Sequence, residues 1–346
     1  MFKNLKVLEL SSVLAGPLVG SFFSELGAKV IKVENKNVGG DVTRSWKLKS
    51  ENPESSISAY YASANYNKNI IWANFKDEAD LTLVKKYAQE ADIITSNFRA
   101  GVAEKYGLDY KSISRINPQV IYASISGFSP EDPRPAFDVV LQAETGFMFM
   151  NGAPGQPPVK MPVALIDVLA AHHLKEAILV ALLKKHQSGE GSNLNVSLYD
   201  AAIASLANQA TNWLMEGHIP QPMGTLHPNI APYGDMFSTK DDKYLVLAIG
   251  NDKQFSKMCD IIDINPAGYE TNDQRLKHRE KLQNILQNFF GTVRSDEIEK
   301  QFLKENIPFG IVKNLSEVFD TTAANRMIID EDIDGIKTRR VKTALI

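Results

Sequence analysis

The 346-residue chain carries 38 basic against 41 acidic side chains, a formal charge of -3, with 44% hydrophobic and 23% charged residues. That balance suits a globular protein with room for a large and a smaller core, and it leaves no basic surplus to grip a polyanion such as DNA or RNA. A single cysteine, Cys259, excludes an intrachain disulfide framework and a thiolate-rich zinc site. No apolar run reaches the roughly 18 residues of a membrane span, and MFKNLKVLEL enters a strand pattern without a secretion signal, so we expect a cytoplasmic protein.

In chain order, Leu5 to Leu10 reads as a strand and Pro17 to Leu26 as a helix that tolerates proline in its first turn and stops at Gly27. Lys29 to Val33 and Asn69 to Asn74 read as strands, Glu78 to Glu90 as a helix, and Asp92 to Thr95 and Gln119 to Ser126 as further strands around a short helix near Val102. This alternation predicts an α/β fold with an open, mostly parallel, Rossmann-like sheet covered on both faces. The apolar run Val163 to Ile166 leads into Asp167, then a long helix from about Val168 to His186, then a strand from Leu194 to Leu198. Beyond a proline-rich stretch from Gly217 to Asn229 the pattern changes to a strand at Lys243 to Ile249 and helices at Phe255 to Ile261, Arg279 to Phe289 and Ser295 to Glu305. A short helix from Ser316 and a late strand at Arg339 to Thr343 close the chain. The reading is a large domain over residues 1–215, completed by 320–346, a linker at 216–230 and a smaller α+β domain at 231–319.

Three places carry chemistry. Ala15, Gly16 and Pro17 stand where the first strand meets its helix, and Glu34 ends the second strand. In a dinucleotide fold such a turn receives pyrophosphate and such an acid holds a ribose, but G-x-G-x-x-G is absent. Gly16 serves either a tight turn or an anionic ligand. The runs Asn65-Tyr66-Asn67-Lys68-Asn69 and Asn97-Phe98-Arg99-Ala100-Gly101, with Lys105 beyond, fall at strand ends. There cations suit phosphate and Phe98 or Tyr66 a flat base; solvated surface is the plain alternative. Asp167 is either the N-cap of the long helix or a carboxylate nucleophile for an activated carbonyl. His172 and His173 are adjacent, face different ways and make a poor metal pair; no metal site is expected. Trp46, Trp72 and Trp213 read as packing residues.

Taken together, these stretches resemble the class III (CaiB/BaiF-type) coenzyme A transferases, a family that includes carnitine-CoA, formyl-CoA and succinyl-CoA transferases and α-methylacyl-CoA racemases. The resemblance runs through VLELSSVLAGPLVG with GAKVIKVE, GGDVTR, NYNKN, NFRAG with KYGLDY, NPQVIYASISGF, AFDVVLQAETG, VALIDVLAA, LLKKHQSGEGSNLNVSLYDA and APYGDMF with LAIGNDKQF, covering nearly the whole chain in order.

The resemblance implies two domains joined by long linkers, and two chains threaded into an interlocked homodimer. It implies coenzyme A as a substrate, with no tightly bound cofactor, lying near Val13, Leu14, Ala15, Gly16, Lys36, Lys68, Asn97, Phe98 and Lys105. Asp167 matches the family's catalytic aspartate, which exchanges CoA between an acyl-CoA donor and a carboxylic acid acceptor through anhydride and aspartyl-CoA thioester intermediates. Racemisation is disfavoured: the family's racemases carry a histidine before the aspartate that matches Asp138, and here Phe137 cannot carry a proton. A CoA-binding protein with altered or lost transferase activity is the remaining alternative. Departures from the pattern include the arginines missing around Lys68 and the absence of the consecutive glycines found in formyl-CoA transferase, which counts against that substrate.

Overall fold

The structure, a computed structural model, describes residues 1–345. They fall into two compact units, one made of 1–148, 160–219 and 326–345, the other of 149–159 and 220–325.

The first unit is built on a six-stranded sheet: β1 (Lys6–Leu10), β2 (Lys29–Asn35), β3 (Lys68–Ala73), β4 (Ile93–Ser96), β5 (Ile121–Ser126) and β6 (Ser192–Ser197). The strands lie in the order β3-β2-β1-β4-β5-β6, and every neighbouring pair is parallel. Order reverses between β1 and β4, which opens a crevice at their carboxyl ends. Central strands of a parallel sheet are covered on both faces, so β1 reads as an unbroken buried run after Lys6. Alternation still decides which face each residue serves. Val7 joins Val19, Phe23, Val30 and Ile121 in one core, while Leu8 and Leu10 join Val84, Ile94 and Leu108 in the other.

Three helices set the site. α1 (Ala15–Glu25) follows β1 directly and buries Val19, Phe22 and Phe23; Gly27, at φ +93°, turns the chain into β2. α2 (Asp138–Glu144) follows β5 and begins on an N-cap, Phe137, whose side chain caps nothing. α3 (Leu165–Ser188) buries Ile166, Ala170, Leu174, Ile178 and Ala181 against the first core. Each large side chain so enclosed contributes roughly 1.5–3 kcal/mol of transfer free energy. α3 starts before the position expected from sequence, so Asp167 sits inside its first turn and is not its N-cap. A hairpin of Ile328–Ile333 and Ile336–Val341 belongs to this unit. It is pinned by Arg340, which pairs with buried Glu25, and by the Thr343 and Ala344 N–H groups, which donate to the same carboxylate.

The second unit has an antiparallel sheet of Tyr233–Ser238, Tyr244–Ala248 and Phe309–Ile311. Helices Asp252–Ile261, Arg279–Phe290 and Ser295–Lys304 supply Phe255, Leu286, Phe290 and Phe302 to its core. Arg275, fully buried there, donates to the Ala231, Tyr269 and Glu270 carbonyls and to Asp252. Among the described residues no helix is long and apolar enough to cross a membrane.

Candidate active site

The carboxyl ends of β1, β4 and β5 open into a cleft of about 560 Å³ lined by Val13, Leu14, Asn97, Phe98, Phe137 and Asp167, among others. Its first wall is the turn from β1 into α1. Asn97 clamps that turn from both sides, its Oδ1 accepting from the Ser12 N–H (3.0 Å) and its Nδ2 donating to the Ser12 carbonyl (2.8 Å). Val13 then adopts φ +72°, a conformation that a β-branched residue rarely accepts. The strain is held by Asp41, whose carboxylate accepts the Val13 N–H at 3.1 and 3.3 Å.

Asp41 is itself anchored from below. It accepts from Lys32 (2.9 Å) and from the N–H and hydroxyl of Thr43 (3.1 and 2.8 Å). Lys32 also reaches Glu9 at 3.0 Å, and Lys68 reaches Glu9 at 2.8 Å, all three side chains being wholly enclosed. Burial works against the Lys32 ammonium, but Glu9 and Asp41 outweigh it and hold its pKa above the ordinary value. For Lys68 burial wins and lowers the pKa to about 8, the Glu9 charge notwithstanding.

Of the sequence-derived contacts, the cleft brings together Val13, Leu14, Ala15, Asn97, Phe98 and Asp167. Gly16, Lys36, Lys68 and Lys105 are not part of its lining. Gly16 is a packing glycine: a Cβ there would sit 2.4 Å from the Ser11 side chain, so its absence lets α1 approach β1. Lys36 lies on the surface, paired with Asp80 at 2.6 Å. Lys68 points inward to Glu9 and donates to the Pro17 and Ala64 carbonyls, which leaves its ammonium no approach to a phosphate. Lys105 is exposed beside Tyr106. Glu34, considered for a ribose, is instead taken up by Arg44 (2.7 and 2.9 Å) and the Tyr61 hydroxyl (2.6 Å). The cations that do line the cleft are Arg99, Lys111 and Arg134. Arg134 stacks on Phe128, 3.6 Å from the ring centre, and pairs with Asp132. Trp46, Trp72 and Trp213 are 40%, 47% and 53% exposed and none lines the cleft; Trp46 packs edge-on against Tyr60 and Trp72 lies beside the Arg44 guanidinium.

Asp167 is 9% exposed, and no donor among the described residues reaches its carboxylate. Burial first, and then the Asp138 charge, push its pKa up to about 7. Asp138 does the capping that was one of the two roles open to Asp167 from sequence. Its Oδ1 accepts the Ile166 N–H of α3 at 2.7 Å, and its Oδ2 accepts from Gln142 at 2.6 Å. Gln142 Oε1 in turn accepts the Met161 N–H at 2.7 Å. These two side chains tie the segment leading into α3 to α2. Gln142 carries no signal of its own in the sequence and Asp138 enters there only as the match to the racemases' aspartate, although the two stand four apart in AFDVVLQAE, the spacing that puts two side chains on one helix face. Among the described residues no cluster of His, Cys, Asp or Glu could hold a metal ion.

The arrangement is a cleft at a topological switch point, lined by three cations and the acids Glu104, Asp109 and Asp132, with an unpaired buried carboxylate, Asp167, within. The family model described as CoA-transferase family III matches residues 2–344. The chain is 35% identical to the succinate–glutarate CoA-transferase of Agrobacterium fabrum, over 99% of this chain and 88% of that protein. It is 34% identical to the human succinyl-CoA:glutarate CoA-transferase, over 92% of this chain and 73% of that one. A CaiB/BaiF family protein from Brucella suis has the same fold, with a TM-score of 0.86 at 34% identity, covering 99% of this chain and 91% of that chain. With sheet order, cleft and a match from end to end in agreement, the chain belongs to CoA-transferase family III, and it is an enzyme of that family.

Proposed function

We propose that this enzyme moves CoA from a short dicarboxylic acyl-CoA to a free carboxylic acid, with Asp167 as its nucleophile. The observation that carries the reading is the enclosed, donor-free Asp167 carboxylate in the cleft. A carboxylate largely withdrawn from water and given no hydrogen-bond donor is raised in energy and more nucleophilic than one in solution. The names of the relatives, which speak of succinate, succinyl-CoA and glutarate, support the dicarboxylic class.

In this mechanism an Asp167 oxygen attacks the thioester carbonyl, the C–S bond breaks, and a mixed anhydride and CoA thiolate result. The thiolate attacks the Asp167 carbonyl, releasing the donor acid and leaving an aspartyl-CoA thioester. The acceptor carboxylate attacks that thioester, forming a second anhydride and freeing the thiolate again. The thiolate then takes the new acyl group and returns Asp167 as a carboxylate. Both ends of the reaction are thioester plus carboxylate, so no outside energy source is needed. The cleft cations Arg99, Lys111 and Arg134 would hold the CoA phosphates, and Phe98 would offer an apolar face to the base. Phe137, at the cleft and half exposed, offers no proton for racemisation.

A second copy of the chain would cover the apolar side chains Trp213, Leu214 and Met215 on the helix Ala207–Glu216, which are 53%, 79% and 74% exposed. Light scattering tests this: a dimer is expected, and a monomer at micromolar concentration would refute it. The chemistry is tested by intact-protein mass after rapid mixing with succinyl-CoA. Wild type is expected to gain an acyl or CoA adduct and Asp167→Asn none; an adduct or turnover in the variant at wild-type level overturns the assignment.

A further inference from the structure

Beside the cleft lies a second pocket of about 360 Å³ whose walls include Leu14, Pro162, Val163 and Ala164. Its polar groups are the Tyr60 and Ser63 hydroxyls, the Asp138 carboxylate and one cation, Lys160. Leu14 lines both spaces, so the pocket and the cleft share a wall residue. Ala164 is the N-cap of α3, with Asp167 in the first turn beyond it. Side chains on a helix lean toward its N-terminus, which tilts the Asp167 carboxylate toward the Val163–Ala164 wall. The surroundings of Tyr60 agree: burial, then the charges of Asp167 and Asp138, raise its phenol above the ordinary range.

The charges in this pocket are unequally committed. Both oxygens of Asp138 are occupied, by the Ile166 N–H and by Gln142. Lys160 has neither an ion pair nor a hydrogen-bonded partner for its ammonium among the described residues, and it is exposed. The pocket therefore offers apolar walls for methylene groups, two hydroxyls and a single uncommitted positive charge at a distance from the reacting carboxylate.

We infer that this pocket receives the acyl chain and that Lys160 binds the far carboxylate of a dicarboxylic acyl group, making it a specificity-determining residue. This rests on the transferase reading only for the order of events; the preference for a second carboxylate is a binding property of the pocket itself. A monocarboxylic acyl group of equal length would fill the same walls and leave Lys160 solvated. The discrimination then equals one charge-assisted hydrogen bond made partly in water, about tenfold in affinity.

Calorimetric binding of glutaryl-CoA and valeryl-CoA, matched in chain length and differing at the far end, separates this inference from the mechanism. The titrations use Asp167→Asn, so that no covalent step intervenes. Glutaryl-CoA is expected to bind about ten times more tightly, with the preference falling toward one in Lys160→Met and Lys160→Gln and kept in Lys160→Arg. A preference unchanged by Lys160→Met, or none to begin with, overturns the assignment. If wild type shows no CoA transfer with any acid, the transferase reading falls while the affinity ratio still decides the role of Lys160.

Discussion

Two regions of the first unit bury carboxylates, and they treat them in opposite ways. Behind β1 and β2, Glu9, Glu34 and Asp41 are 0%, 2% and 4% exposed, and each meets a cation or several donors. Burial acts to raise Glu34 and Asp41, yet Arg44 and Tyr61 for the one, and Lys32 and Thr43 for the other, hold both below the usual carboxylate range. At the head of α3, Asp167 is almost as deeply enclosed, but its charged neighbour is another acid. Paired burial builds a rigid frame, since removing one partner leaves an uncompensated charge. Unpaired burial raises the energy of one group, and such groups gather at reactive sites. Asp41 joins the two regions, because the carboxylate that Lys32 holds is also the one that keeps Val13 in its strained conformation at the cleft.

The sharpest way to break this contrast is Asp167→Asn. Turnover is expected to fall on the order of a thousandfold or more, as for the loss of a covalent nucleophile. The same variant is expected to be more stable, because a carboxyl whose folded pKa is raised costs stability once it ionises. That cost is nearly absent below the unfolded value, grows as pH rises from about 4, and is complete above about 7, where it reaches at most about 4 kcal/mol. Urea unfolding at pH 4 and pH 8 checks this: equal gains at both would mean that the ionised carboxylate is not the source.

Lys32→Met attacks the paired region and should destabilise by roughly 3–5 kcal/mol, since Glu9 and Asp41 lose a shared partner. CoA affinity should fall with it as the Val13 turn loosens; a stable variant with unchanged affinity would show that the network supports nothing. Gly20→Ala is a smaller disturbance to the same network. A Cβ at Gly20 would lie 1.8 Å from Glu9 Oε2, so we expect a loss of about 1–3 kcal/mol in denaturant titrations. The smallest effect belongs to Asp138→Asn. An amide oxygen still caps Ile166 and the like charge beside Asp167 is gone, although the new NH2 group faces the Gln142 donor and gives up that hydrogen bond. Burial, the larger cause of the raised pKa, remains, so the ascending limb of kcat/KM against pH should move modestly toward acid. A limb that stayed in place would show that the two carboxylates do not interact.

The strand-and-helix rhythm of the first unit was legible because it is local. Val7 to Leu10, Val30 to Val33 and Ile121 to Ile125 are apolar and β-branched enough to declare strands, and Gly27 and Gly189 mark helix ends at positive φ. Asp167 was legible as a candidate for the same reason, standing between an apolar run and a long helical pattern. The partners of these residues were not. Lys68 looked like a phosphate ligand among its amides, because nothing in the run tells that its side chain turns inward to Glu9, on a strand far earlier in the chain. The cap of α3 comes from Asp138, 28 residues before Ile166, so a reader of neighbours gives that task to Asp167. By itself, then, the sequence determined where strands and helices form and which family they compose, since period, turn chemistry and motif order are written within short segments. Tertiary structure alone decided which charges are paired, which cations face the cleft, and that Asp167 is left without a donor, because ion pairing, burial and desolvation arise only between segments that folding brings together.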